Sequence, residues 1–365
     1  MKILHTESSQ GWGGQEIRIL EEAQGMQARG HELVIGAPAT HRIHQEAEAR
    51  GLAVADLPLA RKRAPGLIAL RRWLSAHRPD VVNTHSSTDS WLTSLACATL
   101  ASPPALVRTR HISAPVARTL SNRWLYGTAA AHVVTTGEML REQLIRDNGI
   151  APSHVTSVPT GIRPELFFPG DPGEARRTLG LPEDGLLIGI VATLRSWKGH
   201  RYLVDAFARL ARPNARLIIV GTGPQREGLE RQVFGARLGE HVHLVGDQRH
   251  VAPWLRAFDV FALPSYANEG VPQALVQAMM SGLACVTTEA GAISEVARDG
   301  ETALVVPAKD VDALAQALAR LADDAALRAR LGAAARAHCI AQFGFETMLA
   351  RMEAIFARVS ASRAR

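Results

Sequence analysis

Lysine is scarce in this 365-residue chain. Lys2, Lys62, Lys198 and Lys309 are four of its 41 basic residues, and arginine makes up the rest. Cysteine is scarcer still. Cys97, Cys285 and Cys339 lie far apart and without metal-ligand spacing, which excludes a disulfide scaffold and a zinc knuckle and suits a reducing compartment. Aromatic residues are 5% of the chain, too few for a stacking platform, and no nucleic-acid-binding motif accompanies the basic excess. No nucleic-acid partner is therefore expected. No run approaches the ~18 apolar residues of a membrane-spanning helix. The start, Met1-Lys2-Ile3-Leu4-His5, turns polar at Thr6-Glu7-Ser8, so it holds no apolar core of a secretory signal. A cytoplasmic protein is expected, with peripheral contact at the inner face of the cytoplasmic membrane left open.

What is present describes a folded α/β protein. Hydrophobic residues are 47% and charged residues 21% of the chain, a globular composition. The length exceeds what one core usually serves, so two domains are expected. Strand-like apolar runs over 3–6, 32–36, 81–84, 105–108, 132–136 and 155–158 alternate with helical stretches over 15–28, 67–76 and 90–100. The second half repeats the scheme, with strands over 187–192, 216–220, 243–245, 260–263, 284–287 and 303–306 and helices near 200–210, 225–233, 272–280 and 311–321. Such alternation implies two doubly wound parallel sheets with helices on both faces. Between the halves, residues 159–173 hold four prolines and three glycines and read as a linker. Two such domains facing each other across a cleft would bind ligands at the carboxyl ends of their strands.

Three segments carry candidate chemistry. Gly11-Trp12-Gly13-Gly14 follows the first strand and opens a helix, where glycine admits a ligand and the helix amides favour an anion. Position 16 is Glu, so the dinucleotide pattern G-x-G-x-x-G is not met, and an ordinary tight turn is the competing reading. Arg195 and Lys198 stand on the loop after the first strand of the second half. There they would hold a diphosphate or, more plainly, be solvated surface charge. Glu269-Gly270-Val271-Pro272 precedes a helix in whose first turn Pro272 fits. Its amides would face an anion, and Glu269 would accept bonds from sugar hydroxyls or simply complement the helix dipole.

Together these segments resemble the GT-B glycosyltransferases, specifically glycosyltransferase family 4. Gly13-Gly14-Gln15-Glu16 is similar to G-G-x-E, and Leu194 to Gly199 to the end of G-R-L-x-x-x-K-G. Gly221-Thr222-Gly223-Pro224 is similar to G-x-G-P, and Phe258-Asp259-Val260-Phe261-Ala262-Leu263-Pro264-Ser265 to A-D-V-F-V-L-P-S. Glu269 to Gly282 is similar to E-G-F-G-x-x-x-x-E-A-M-A-x-G. The resemblance implies two Rossmann-like domains, residues 1–163 completed by a helix over 345–365 and residues 164–344. It implies a metal-independent retaining transferase without cofactor, a hexosyl- or heptosyltransferase whose donor is a nucleoside diphosphate sugar. Gly13 and Gly14 would line the donor, Lys198 would meet its diphosphate, and Glu269 its sugar. Gly270 and Val271 would offer amides. His111 matches a histidine near the reacting centre, with His85 as the rival. Thr193 stands where the family has arginine, and Arg195, two residues on, is the candidate replacement. Gln277 stands where a second Glu belongs and can still bond ribose hydroxyls.

The charge is uneven. Residues 90–137 contain no acidic residue but hold Arg108, Arg110, Arg118 and Arg123. Residues 57–78 likewise lack acids and hold Arg61, Lys62, Arg63, Arg71, Arg72 and Arg78. The family binds its acceptor on this half. An anionic acceptor, a phosphorylated lipid or lipopolysaccharide core, is therefore expected, with Arg108 and Arg110 on the acceptor side. Leu67, Ile68, Leu70, Trp73 and Leu74 would form either an interfacial helix or a core-facing helix with a solvated basic face. Two further functions stay open: a sugar-nucleotide 2-epimerase-like enzyme on the same fold, and a sugar-nucleotide-binding protein without catalysis.

Overall fold

The computed structural model describes residues 1–111, 115–267 and 269–363. The chain divides into two compact units, residues 1–161 with 346–365 and residues 162–345. The first unit runs β1 (Lys2–Thr6), α1 (Gly14–Ala28), β2 (Glu32–Ala37), α2 (Arg42–Ala49), β3 (Ala53–Asp56), α3 (Ala64–His77), β4 (Val81–Thr84), α4 (Ser87–Ala98), β5 (Ala105–Arg110), α5 (Leu120–Trp124), β6 (His132–Thr135), α6 (Glu138–Asn148) and β7 (Val155–Ser157). The second runs α7 (Pro172–Leu179), β8 (Leu186–Val191), α8 (His200–Leu210), β9 (Ala215–Val220), α9 (Arg226–Gly235), β10 (Val242–Gly246), α10 (Ala252–Ala257), β11 (Val260–Leu263), α11 (Gln273–Met280), β12 (Ala284–Thr288), β13 (Leu304–Val306), α12 (Val311–Asp323) and α13 (Ala325–Phe343). The last helix, α14 (Phe345–Arg363), belongs to the first unit from Glu346 onward.

Among the described residues each unit holds one wholly parallel sheet, ordered β3-β2-β1-β4-β5-β6-β7 in the first and β10-β9-β8-β11-β12-β13 in the second. The central strands are buried along nearly their whole length, as helices on both faces require. Ile3, Leu4, Val81, Val82 and Val107 are buried in one core, and Ile188, Ile190, Val260 and Phe261 in the other. The three cysteines are buried and form no disulfide among the described residues. No helix among the described residues is long and apolar enough to cross a membrane.

Three readings need correction. β3 lies between 36 and 67, where no element is expected, since its short Ala-Val-Ala-Asp run gives little hydrophobic signal. Pro172 and Gly173 open α7, capped by the Asp171 carboxylate on the Gly173 N–H at 2.9 Å, so the break between the halves is shorter than 159–173. Proline suits that first helical position because its missing N–H would have no partner there. Pro272 lies just outside α11 with extended ψ of 111°, and the helix begins at Gln273. In α3, Leu70 and Leu74 are buried, Leu67 and Trp73 half-buried, and Ile68 is 49% exposed. Its apolar stripe thus faces the core and its arginines face solvent.

Candidate functional site

Each sheet has one junction where the strand order turns, β1 beside β4 and β8 beside β11. Loops leaving the carboxyl ends of such a pair run to opposite sides, and ligands of doubly wound sheets bind in the crevice between them. The chemistry-bearing residues of this chain collect at these two junctions.

In the second unit β8 leads to a tight turn, Ser196–Lys198. Gly199 ends it at φ +77°, where an added Cβ would sit 2.0 Å from the Pro264 carbonyl oxygen. Only glycine lets this loop lie so close to the end of β11. The Leu194 N–H donates to the Thr222 carbonyl at 2.9 Å, and the Tyr266 N–H donates to the Trp197 carbonyl at 2.8 Å. So held, Lys198 Nζ donates to both oxygens of Glu269, at 2.7 and 2.9 Å. Ser265 Oγ donates to Glu269 Oε1 at 2.5 Å. The Glu269 side chain is 4% exposed and that of Lys198 18%. On the far side Gly291, at φ +60°, would place a Cβ 2.1 Å from the Glu269 carbonyl oxygen, which accepts from the Ala292 N–H at 3.1 Å. Thr193 and Arg195 are exposed, and the Arg195 guanidinium lies 5.7 Å from the Trp197 ring centroid. Gly270, Val271 and Gln277 are half-buried around the start of α11, whose first N–H groups lack helical acceptors.

Replacing Gly199 tests this construction. Gly199→Ala is expected to cost the second unit at least about 2 kcal/mol and to draw Lys198 away from Glu269. Thermal melting resolved for the two units should show one transition lowered and the other unmoved.

In the first unit the junction carries a chain of imidazoles. His5 lies on β1, His85 follows β4 and His111 follows β5. His5 Nδ1 is 2.9 Å from His85 Nε2, and His85 Nδ1 is 2.9 Å from His111 Nε2. His5 and His85 are buried and His111 half-buried. Burial, with a smaller contribution from Arg18, lowers the His5 pKa to about 3. Burial first, then neighbouring positive groups including Arg18 and Arg108, holds His85 and His111 well below the usual histidine range. All three rings are neutral at pH 7.

Two buried carboxyls stand beside them. Glu7 accepts from the Ser8 and Ser9 N–H groups, each at 2.7 Å, from Gln15 Nε2 at 2.5 Å and from Ser86 Oγ. Asp89 accepts from the His85 and Ser86 N–H groups and from Thr6 Oγ1, each at 2.9 Å. Burial, and next the Glu7 charge, raises the Asp89 pKa to about 7. Gly13 caps α1 in extended backbone and Gly14 begins the helix. Among the described residues no three His, Cys, Asp or Glu side chains converge as a metal site.

Residues 12–166 match the family described as Glycosyltransferase Family 4, and residues 185–324 the one described as Glycosyl transferases group 1. The D-inositol 3-phosphate glycosyltransferase of Streptomyces scabiei is 30% identical over 97% of this chain and 88% of its own length. The chain belongs to the family 4, group 1 glycosyltransferases. The D-inositol 3-phosphate glycosyltransferase of Stackebrandtia nassauensis is 32% identical over 73% of this chain, and the chain spans 60% of that protein's length. The solved structure of Anabaena HepE in complex with UDP superposes with a TM-score of 0.84 over 98% of this chain and 100% of that one, at 20% identity. Its likeness shows the fold, two Rossmann-like parallel-sheet units of the GT-B class.

Within this family 4 chain, the motif residues Lys198 and Glu269 meet each other directly, and the sequence motifs carry no sign of that contact. His111 and its rival His85 are hydrogen-bonding neighbours, with 2.9 Å between their ring nitrogens. Arg108 is buried, donating to the Ser86 carbonyl at 3.1 Å, to Tyr126 Oη at 3.0 Å and to Ser90 Oγ. Arg110 donates to the same Tyr126 oxygen at 3.1 Å. Both guanidinium groups are thus engaged inside the first unit, while Arg61, Arg63, Arg71, Arg72 and Arg123 are exposed. His5, Glu7, Ser86, Asp89 and Ser265 stand at these two junctions, and motif reading misses them. The one sequence signal for the first two is a central strand that ends in His-Thr and is followed at once by Glu.

Proposed function

We infer that this protein is a retaining glycosyltransferase that moves a hexose or heptose from a nucleoside diphosphate sugar to a phosphate-bearing polyol or glycolipid. The observation that carries this reading is the Lys198–Glu269 pair at the β8/β11 junction, a cation held ready by a buried carboxylate where a doubly wound sheet receives its ligand. In the reaction the bond from the anomeric carbon to the diphosphate breaks. The acceptor oxygen bonds that carbon on the same face, and its proton passes to the departing phosphate oxygen. Lys198, Arg195 and the amides of residues 270 and 271 stabilise the departing charge, so that no metal is called for. As Lys198 turns to phosphate, Glu269 is released to bond the sugar hydroxyls. His111 meets a hydroxyl at the reacting centre, and Gln277 the ribose.

Gly13 supports close ligand approach at the other junction. Its backbone is extended, at φ −172°, and an added Cβ would meet only a Glu16 oxygen at 3.8 Å among the described residues. The fold itself does not ask for glycine there. Anabaena HepE is described as bound to UDP, which supports a nucleotide donor. The Streptomyces and Stackebrandtia relatives are named for D-inositol 3-phosphate, which supports an anionic acceptor, as do the exposed arginines of α3 and its approach. The same surface would hold the enzyme on an anionic leaflet.

The acceptor reading is tested with D-inositol 3-phosphate against unphosphorylated inositol. The phosphorylated compound is expected to be preferred at least about tenfold in kcat/KM, a difference that rising salt erodes. Equal use of both contradicts an anionic acceptor. Membrane docking is tested by co-sedimentation, which should favour anionic over neutral vesicles. Equal binding to both, or to neither, counts against docking.

A further inference from the structure

The three imidazoles of the first unit can share their protons in only two ordered ways. Each neutral ring carries one N–H, and each of the two 2.9 Å contacts needs one donor and one acceptor. Either every ring is protonated at Nε2, with His111 donating inward to His85 and His85 to His5, or every ring is protonated at Nδ1, with the bonds running outward. The two arrangements differ at the ends of the chain. At the inner end His5 Nε2 is buried without a hydrogen-bond partner. Besides His85, the ring beside His5 among the described residues is Phe356, 6.3 Å away between centroids, out of reach for an N–H to bond its face. At the outer end His111 is half-buried, and its Nδ1 has no partner among the described residues.

The inner end decides between them. The first arrangement strands an N–H donor in the protein interior, and the second strands only a lone pair. A buried donor or acceptor left unsatisfied costs its desolvation in either case, but orphaned N–H donors are rarer in folded backbones than under-satisfied acceptors, and the ring follows the same preference. The position of His85 in this chain is itself fixed, since its backbone N–H donates to the buried Asp89 carboxyl at 2.9 Å.

We propose that His5 and His85 are positioning residues that hold His111 as the neutral Nδ1–H tautomer, so that His111 acts on its ligand as a hydrogen-bond donor and not as a base. This rests on the reading that His111 stands at the reacting centre of a sugar transferase. His111 Nε2 accepts from His85 Nδ1–H, and His85 Nε2 accepts from His5 Nδ1–H. The outward N–H of His111 then suits an oxygen of the sugar or of the acceptor. Tautomer control of this kind works through the second ring nitrogen.

Imidazole ¹⁵N spectroscopy of the full-length protein tests the assignment without any variant. His111 should show a protonated Nδ1 and an unprotonated Nε2 at pH 7. His85→Leu removes the donor and should convert His111 largely to the Nε2–H form. It should also lower kcat by about a hundredfold with little change in KM for the donor sugar. His85→Asn places an amide N–H where His85 Nδ1 was, and should restore both the Nδ1–H signature and at least about tenfold of the lost kcat. A protonated His111 Nε2 in the unmodified protein overturns the proposal. So does a tautomer that His85→Leu leaves unchanged, or one that His85→Asn fails to restore. The spectra do not depend on turnover. A protein that transfers no sugar therefore sinks the functional reading alone, while a wrong tautomer in an active enzyme sinks this proposal alone.

Discussion

Lys198→Ala is expected to lower turnover by about 10² to 10³ and, separately, to weaken the second unit. Glu269 is 4% exposed and takes two bonds from Lys198. Without the lysine its carboxylate keeps only the Ser265 hydroxyl among these side-chain donors. Removing one partner of a buried pair costs about 3–5 kcal/mol, because the other charge is left uncompensated. Lys198 retains some solvent contact, so the lower end applies. The two losses can be pulled apart. Adding Glu269→Gln to Lys198→Ala removes the stranded charge and should recover most of the stability and none of the activity. If the double variant regains turnover along with stability, Lys198 is a structural cation and the account of the departing diphosphate fails.

Asp89→Ala should destabilise the first unit by about 4 kcal/mol. It removes the acceptor of two backbone N–H groups and the Thr6 hydroxyl, and buried donors left without partners cost about 1–3 kcal/mol each. Asp89→Asn behaves differently, and its effect depends on pH. The folded pKa of Asp89 is about 7, raised by burial and by Glu7 from an ordinary 3.8. A carboxyl whose pKa rises on folding favours the fold most in acid. Its contribution falls as pH climbs from about 4 and levels off above 7. Between pH 5 and pH 8 that decline is about 3 kcal/mol, and an asparagine does not share it. Measured against the unmodified protein by chemical denaturation, Asp89→Asn should therefore gain about 3 kcal/mol of relative stability on going from pH 5 to pH 8. A pH-independent difference would mean that Asp89 is an ordinary ionised carboxylate.

The strands of this fold are legible in sequence where both faces are covered. The run Leu-Leu-Ile-Gly-Ile-Val of β8 has no polar residue to hide it, and 81–84 and 260–263 are read to the residue. Alanine blurs the reading elsewhere. β3 has one β-branched residue in four, and α13 buries Leu327, Leu331, Ala335, Cys339 and Phe343 on a four-residue spacing that its many other alanines conceal.

The sites divide in a similar way. Motifs single out Lys198 and Glu269 individually, but their contact spans 71 residues and exists because β8 and β11 are neighbours in the sheet. His5, His85 and His111 come from three strands whose adjacency the linear order conceals, since β1 pairs with β4 across two intervening strands. Residue types at strand ends can be read from sequence. Which ends meet is a property of strand order, and the proton chain and the ion pair both depend on it.

The central claim is sugar transfer from a nucleotide with retention, and one measurement addresses it most directly. The protein is incubated with UDP-, GDP- and ADP-linked hexoses and heptoses in the presence of D-inositol 3-phosphate, and the anomeric protons are followed by NMR. The account predicts that at least one donor is consumed. The free nucleoside diphosphate should appear, with a new glycoside of the same anomeric configuration as the donor, and Lys198→Ala should slow both by about 10² to 10³. A product of inverted configuration, a donor epimerised at C2 without acceptor, or no nucleoside diphosphate from any donor would contradict it.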